Sequence, residues 1–416
     1  MIDIVRKELL ENLTTYRFYV LTGLLFSMML ISIIVSYGDY HLRVENFNIL
    51  RPGPRESDKI ILPPEPLSIF ARGLDANAGR LYQLSFRGVE VQPNQQSINR
   101  VSSLFSLPDM LFVIKVILAL IALLFSFDAI CGEKEQGTLK LILAGQTRKA
   151  SLVLGKLAGR FLLVFVPFFF LFLVSSIIVS LLPDVRAGGD YWIRLAIIFA
   201  GTALYVASFI ALGTLISSLV HRSSTSMMLG LAAWVFLVFV VPNMGATVAR
   251  AIGDVPPSDR VEMQKRLSMI QTIFETQQQM KNAKERDYSR IMFQIREANN
   301  HLFQTYRPVL NRLIELTRTI VRCSPSGAFG FLVTEIANTG LGRDIGIKDA
   351  IWMFVERNSN KFAGLEKGEV EQFAFRPSSP GEQITGVALP DALLLLIMPG
   401  ILVALTIGSF MRYDPR

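Results

Sequence analysis

Residues 133–156 read EKEQGTLKLILAGQTRKASLVLGK and bring acids, bases, glycines and hydroxyls together between two membrane-length apolar runs. The nearest approach to a phosphate loop, ASLVLGKL at 150–157, lacks the leading glycine and the Ser or Thr that should follow Lys156, so no nucleotide site is readable in it. His41, His221 and His301 are too scattered to form a metal site, and no carboxylate pair, Ser/His/Asp set or Cys/His nucleophile can be picked out. The chain reads as non-catalytic, with no cofactor or metal of its own. The chemistry left to this stretch is contact. Gly137 lets the chain turn after Glu133 and Glu135, Thr138 can cap a short helix LKLIL, and Thr147 can cap the next one. Leu139, Ile142 and Leu143 then offer apolar contacts for docking into a cleft on another protein. The same spacing also suits an ordinary amphipathic loop at the membrane surface.

The elements that would hold this stretch are apolar and long. Of 416 residues, 51% are hydrophobic and only 18% charged, a composition that places the chain in a membrane. A bilayer core needs about 20 apolar residues per helix, because lipid leaves no partner for an unpaired amide. Six segments qualify: 18–37, 110–127, 161–182, 191–220, 225–241 and 389–410. The expected fold is an α-helical polytopic membrane protein of six transmembrane helices. The first span has a mixed-charge flank and no small-residue cleavage site after it, so it reads as a retained anchor rather than a signal peptide. Residues 1–17 precede it as an amphipathic in-plane helix with Ile2, Val5, Leu9 and Leu13 on one face.

Lys134, Lys140, Arg148, Lys149, Lys156 and Arg160 lie in the loop 128–160, Arg222 in the next loop on that side, and Arg412 and Arg416 in the tail 411–416. By the positive-inside rule these face the cytoplasm, so both termini do as well, and the bases before the third span sit at headgroup level. The net charge of +8 is accounted for beside the membrane lipid and calls for no nucleic acid. Residues 38–108 and 242–388 then lie outside the cell membrane. The first is read as a small mixed α/β cap. The second is a mostly helical domain with Met263, Leu267, Ile270 and Phe274 at helical spacing and a break near Pro308. Cys131 and Cys323 fall on opposite sides, so no internal disulfide is expected. Within the spans, Lys115 and Arg194 either mark an ion pathway or snorkel to the outer interface, and their position near that interface favours snorkelling.

The run Glu133, Glu135, Gly137, Thr138, Leu139, followed by Arg148, Gly155 and Lys156, resembles the ABC-2-type transporter permeases. The six-span layout, the N-terminal IVRKELLENL, the patch CSPSGAFGFLVTEIANTG at 323–340 and the terminal SFMRYDPR resemble the branch described as multicopper-enzyme-maturation permeases, whose larger members carry a long outer insertion. The resemblance implies an inner-membrane permease subunit, in an exporter, that pairs with a second copy or a related permease. It also implies that each copy docks on a cytoplasmic ABC ATPase, which hydrolyses the ATP. Glu133, Glu135, Gly137, Thr138, Leu139, Ile142, Leu143 and Arg148 would form that contact. The alternative is a non-transporting scaffold or sensor whose outer helical domain binds a partner protein.

Overall fold

The computed structural model describes residues 2–51, 59–77, 82–85, 88–91, 108–144, 148–185, 187–253, 307–362, 373–375 and 379–412, with a few isolated positions between them. Five helices are long and apolar enough to cross a membrane: α2 (Tyr16–Leu50), α6 (Lys149–Ser180), α7 (Gly189–Leu219), α8 (Ser223–Ile252) and α12 (Pro380–Met411). A shorter apolar helix, α3 (Met110–Leu124), lies on the segment read as the second span. Its N-terminus is capped by Asp109, whose carboxylate accepts the Phe112 N–H at 2.8 Å.

The helices overrun the apolar segments. Thirty-five residues make α2 about 52 Å long at 1.5 Å per residue, against a core of about 30 Å. Its last turns therefore stand outside the apolar segment 18–37. The sequence DYHLRVENFNIL that follows Gly38 contains no proline, and Arg43 there finds ion-pair partners. The third apolar segment likewise begins its helix at Lys149, so the last third of the 128–160 loop is already α6.

Between α8 and α12 run helix α9 over 307–322, α10 (Pro325–Ile336) and α11 (Leu341–Phe362). Pro308 is helical within 307–322, and the residues before 307, where the break was expected to begin, lie outside the described residues. Met263, Leu267, Ile270 and Phe274 are each helical and exposed; the rest of 258–306 lies outside the described residues. Ser324 and Pro325 start α10, and Ser324 Oγ accepts the Ser326 N–H. Nearly all of α10 is buried. It packs on α7 and α12 and on π-helical turns in three spans, Val113–Leu118, Phe236–Val240 and Ile384–Ala388. Phe329 stacks on Tyr205 at 4.5 Å, and Gly201 of α7 faces Leu332 with no room for a methyl.

On the same side, strands β1 (Lys59–Ile60), β2 (Tyr82–Ser85) and β3 (Gly88–Val91) form an antiparallel sheet in that order. The sheet and α11 share a small core of Ile60, Leu62, Leu84, Ile347, Ile351 and Val355, separate from the main one. An ionic network ties this unit down. Asp75 accepts from Arg43 and Arg343, Asp39 pairs with Arg43 and Arg72 at 3.0 Å each, and Arg343 reaches Glu65 at 3.0 Å. Asn338, at φ 59°, donates to Glu65 at 2.8 Å and accepts from Gln383, whose amide oxygen accepts from Arg194. Arg194 is therefore not a snorkelling residue: it is buried and donates also to the Ile336 carbonyl at 2.6 Å.

Candidate functional site

Between α3 and α6 lie two short helices, α4 (Cys131–Glu135) and α5 (Thr138–Ala144), joined at Gly137. Gly137 has φ +74°, a conformation that suits a residue without a side chain. The start of α4 is fixed by Ser217 of α7, whose hydroxyl accepts the N–H groups of Ile130 and Cys131 at 2.9 Å each. Its end is fixed by α8: Glu135 accepts the Ser223 N–H at 2.9 Å, and this bond holds its carboxyl below the usual range. Lys134 donates to the carbonyls of Ser218 and Val220, and burial depresses its pKa. The pair α4–α5 is thus bolted to the C-terminal end of α7 and the start of α8.

Glu133 connects it to the third span and to the N-terminal helix α1 (Ile2–Leu13). Lys156 of α6 donates to Glu133 at 2.8 Å and to Glu8 of α1 at 2.7 Å. Arg160, one turn on, donates to Glu8 at 3.2 Å, to Asp128 at 2.7 Å and to the Phe125 carbonyl at 2.6 Å. Glu8 is 5% exposed. Burial alone would raise its pKa, but Arg160 and Lys156 outweigh that and hold it below the ordinary value. Close approach of α1 to α6 requires Gly159, where a methyl would stand 2.8 Å from Glu8 Cβ. A cleft of about 760 Å³ opens beside this cluster, bordered by Arg17, Phe127, Asp128, Glu133, Gln136 and Met227.

The predicted contact residues divide. Glu135, Gly137 and Arg148 are exposed, and Glu133, Thr138 and Ile142 half-buried. The Thr138 hydroxyl does not cap the helix; it donates back to the Glu133 carbonyl at 3.4 Å. Gln146 and Thr147 lie outside the described residues, and the residue flanking α6 is Arg148, without a side-chain cap. Leu139, read as an outward contact, is 1% exposed and belongs to the chain's own core, which Ile142 also touches. Leu141 of α5 is 77% exposed, and the side chain of Leu143 lies outside the described residues. Lys156 and Arg160, read as headgroup bases, are buried and paired instead. With Lys156 in mid-helix and held by two carboxylates, ASLVLGKL forms no phosphate loop. The buried face of α1 is centred on Glu8 rather than on Ile2, which is 82% exposed. Glu8 was the signal available: an acid among the apolar positions of an amphipathic helix, four residues on from Ile4.

Residues 2–415 match the family model described as ABC-2 family transporter protein. The chain is 31% identical over 125 residues to the probable ABC transporter permease protein NosY of Stutzerimonas stutzeri. It is 34% identical over 128 residues to the protein of the same name in Pseudomonas aeruginosa. Each match covers 30% of this chain and 45% of the relative, so it spans less than half the length of these curated relatives.

Proposed function

The chain belongs to the ABC-2 family of transporter proteins, and from that premise we propose that it is the membrane-spanning permease subunit of an ATP-driven exporter, energised by a separate cytoplasmic ABC ATPase. The observation that carries the reading is α5: a short helix, set between the second and third apolar segments, that is anchored through α4 to three other segments and leaves Leu141 exposed. A helix tethered in this way moves only with the elements behind it. ATPase closure would push α5, and Glu133, Ser217 and Ser223 would pass the displacement to α1 and α6, to α7 and to α8. The spans would then shift between inward and outward states by differential binding. In this reading both termini and α5 are cytoplasmic, the cap and α11 are extracytoplasmic, the membrane is the inner one, and two permease copies pair. Leu141 replaces Leu139 as the apolar anchor, with Glu135, Gly137 and Arg148 around it.

The test is copurification. A tagged chain expressed with candidate ATPase genes should retain one ATPase through detergent extraction. Recovery of the intact chain with no ATPase in any combination would favour a scaffold or sensor.

A further inference from the structure

The buried cations of the helical core have their answering groups. Arg43, Lys156, Arg160, Arg194, Arg318 and Arg343 are each held by carboxylates or carbonyl oxygens of the chain. Lys115, in the π-helical turn of α3, is the exception: its ammonium makes no hydrogen bond or ion pair with the described residues. Asp109, the carboxylate whose charge reaches it, is occupied as the cap of α3 by the N–H groups of Arg72 and Phe112 at 2.9 and 2.8 Å.

Lysines inside a span ordinarily reach the interface along their stems. Here the side chain takes another course. Lys115 lies six residues, about 9 Å, inside Asp109, and the outer end of α3 is roofed by residues 70–72, with the Phe70 carbonyl accepting Leu111 N–H at 2.9 Å. The side chain turns instead across α10. Its Cδ, Cε and Nζ pass 3.9, 3.8 and 3.3 Å from the point where a methyl on Gly330 would stand, so the absence of a side chain there makes the passage. The Lys115 carbonyl is held at 2.7 Å by Tyr205, the residue that stacks on Phe329 of α10, and the turn itself is π-helical, a local irregularity common at functional sites. The lysine is half-buried, placed by two helices and left with a positive charge to satisfy.

Resting on the permease reading, we propose that Lys115 and the Gly330 gap form an anion subsite in the outer half of the transport path, taking a phosphate or carboxylate group of the transported molecule. An ionisable group at this depth is costly unless it meets an opposite charge, and an anion arriving against α10 supplies one.

The experiment uses the full chain in phosphatidylcholine nanodiscs and reads thermal stabilisation, which follows ligand occupancy of the folded state. Inorganic phosphate is titrated in one arm and short-chain phosphatidylglycerol in the other. Saturable stabilisation in the first arm assigns the site to a water-soluble anion, and in the second alone to a lipid headgroup. In the responding arm, Lys115→Met should weaken the apparent Kd about tenfold or more, with Lys115→Arg within about threefold of the parent, tenfold being about 1.4 kcal/mol. Gly330→Ala, which sets a methyl beside the ammonium, should weaken binding about threefold and decides the matter if the Met variant is not recovered folded. No saturable response in either arm, or equal affinity in the parent and the deciding variant, overturns the subsite. Neither readout depends on ATP turnover, so that result leaves the permease reading standing.

Discussion

Two buried ionic clusters, one at each end of the helical bundle, use the same residue types differently. The inner one joins Glu8, Glu133 and Asp128 to Lys156 and Arg160 and borders an open cleft beside α5. The outer one joins Asp39, Glu65 and Asp75 to Arg43, Arg72 and Arg343, and is extended by Asn338, Gln383 and Arg194 into a continuous hydrogen-bonded chain. The inner cluster links three separate elements, α1, α4 and α6. The outer cluster clamps the cap to the first span, to the α10–α11 link and to the fourth and last spans. A buried ion pair is weak evidence for stability, since desolvation offsets much of the attraction, and its better-attested value is in fixing which segments sit together. On this comparison we propose that the inner cluster carries displacement and the outer one resists it.

The largest effect should come from Glu8→Ala, which leaves Lys156 and Arg160 buried with one fewer carboxylate between them. Removing one partner of a buried pair costs about 3–5 kcal/mol. The purified chain should melt several degrees lower, and protease should cut α1 free while the spans stay intact. An unchanged melting temperature would mean that α1 is not held by this cluster.

Asp75→Asn keeps the shape of the outer cluster and removes the charge shared by Arg43 and Arg343. A loss of about 2 kcal/mol is expected, the scale of a charged hydrogen bond. Copurification of the ATPase should be untouched, because the change lies at the other end of the bundle. Loss of ATPase binding in Asp75→Asn would break the division of labour.

Acid should separate the two ends with the smallest effect. The folded pKa of Glu8 lies below the ordinary glutamate value of 4.5, so its stabilisation is complete above 4.5 and is lost as pH falls through the folded value. Glu65 behaves oppositely: burial pushes its pKa above 4.5 despite Arg343, so charging it costs the fold, and that cost is relieved as pH drops through its folded value toward 4.5. Melting curves against pH should show Glu65→Gln differing from the parent mainly at and above that upper window. Glu8→Gln should lose its deficit only below 4.5. Parallel profiles for the two variants would contradict the opposite environments.

What the sequence made legible was local. Apolar run length marks where the long helices lie, and Gly137 announces its turn because a positive φ has few other occupants. The pattern of Leu139, Ile142 and Leu143 shows that α5 is amphipathic, but not which side meets the protein. That depends on α5 resting against the bundle, which sends Leu139 inward and Leu141 outward. Lys156, Arg160 and Arg194 read as interfacial bases because the partners that bury them, Glu8, Asp128 and Gln383, are 32 to 189 residues away in the chain. Helix overrun at α2 was hidden for a similar reason: hydropathy ends at the bilayer, whereas the helix runs on to Leu50 past Arg43, whose acid Asp75 lies 32 residues away.

The central claim is that α5 docks an ATPase through its outward face, and Leu141 against Leu139 tests it most directly. Leu141→Asp should leave the chain in the membrane at parental abundance, because the side chain is exposed. It should lower ATPase copurification more than 100-fold, the consequence of losing about 3 kcal/mol by burying an unpaired carboxylate at the contact. Leu139→Asp, aimed at the core, should instead reduce the folded chain itself. Parental ATPase recovery with Leu141→Asp present at full abundance would contradict the account.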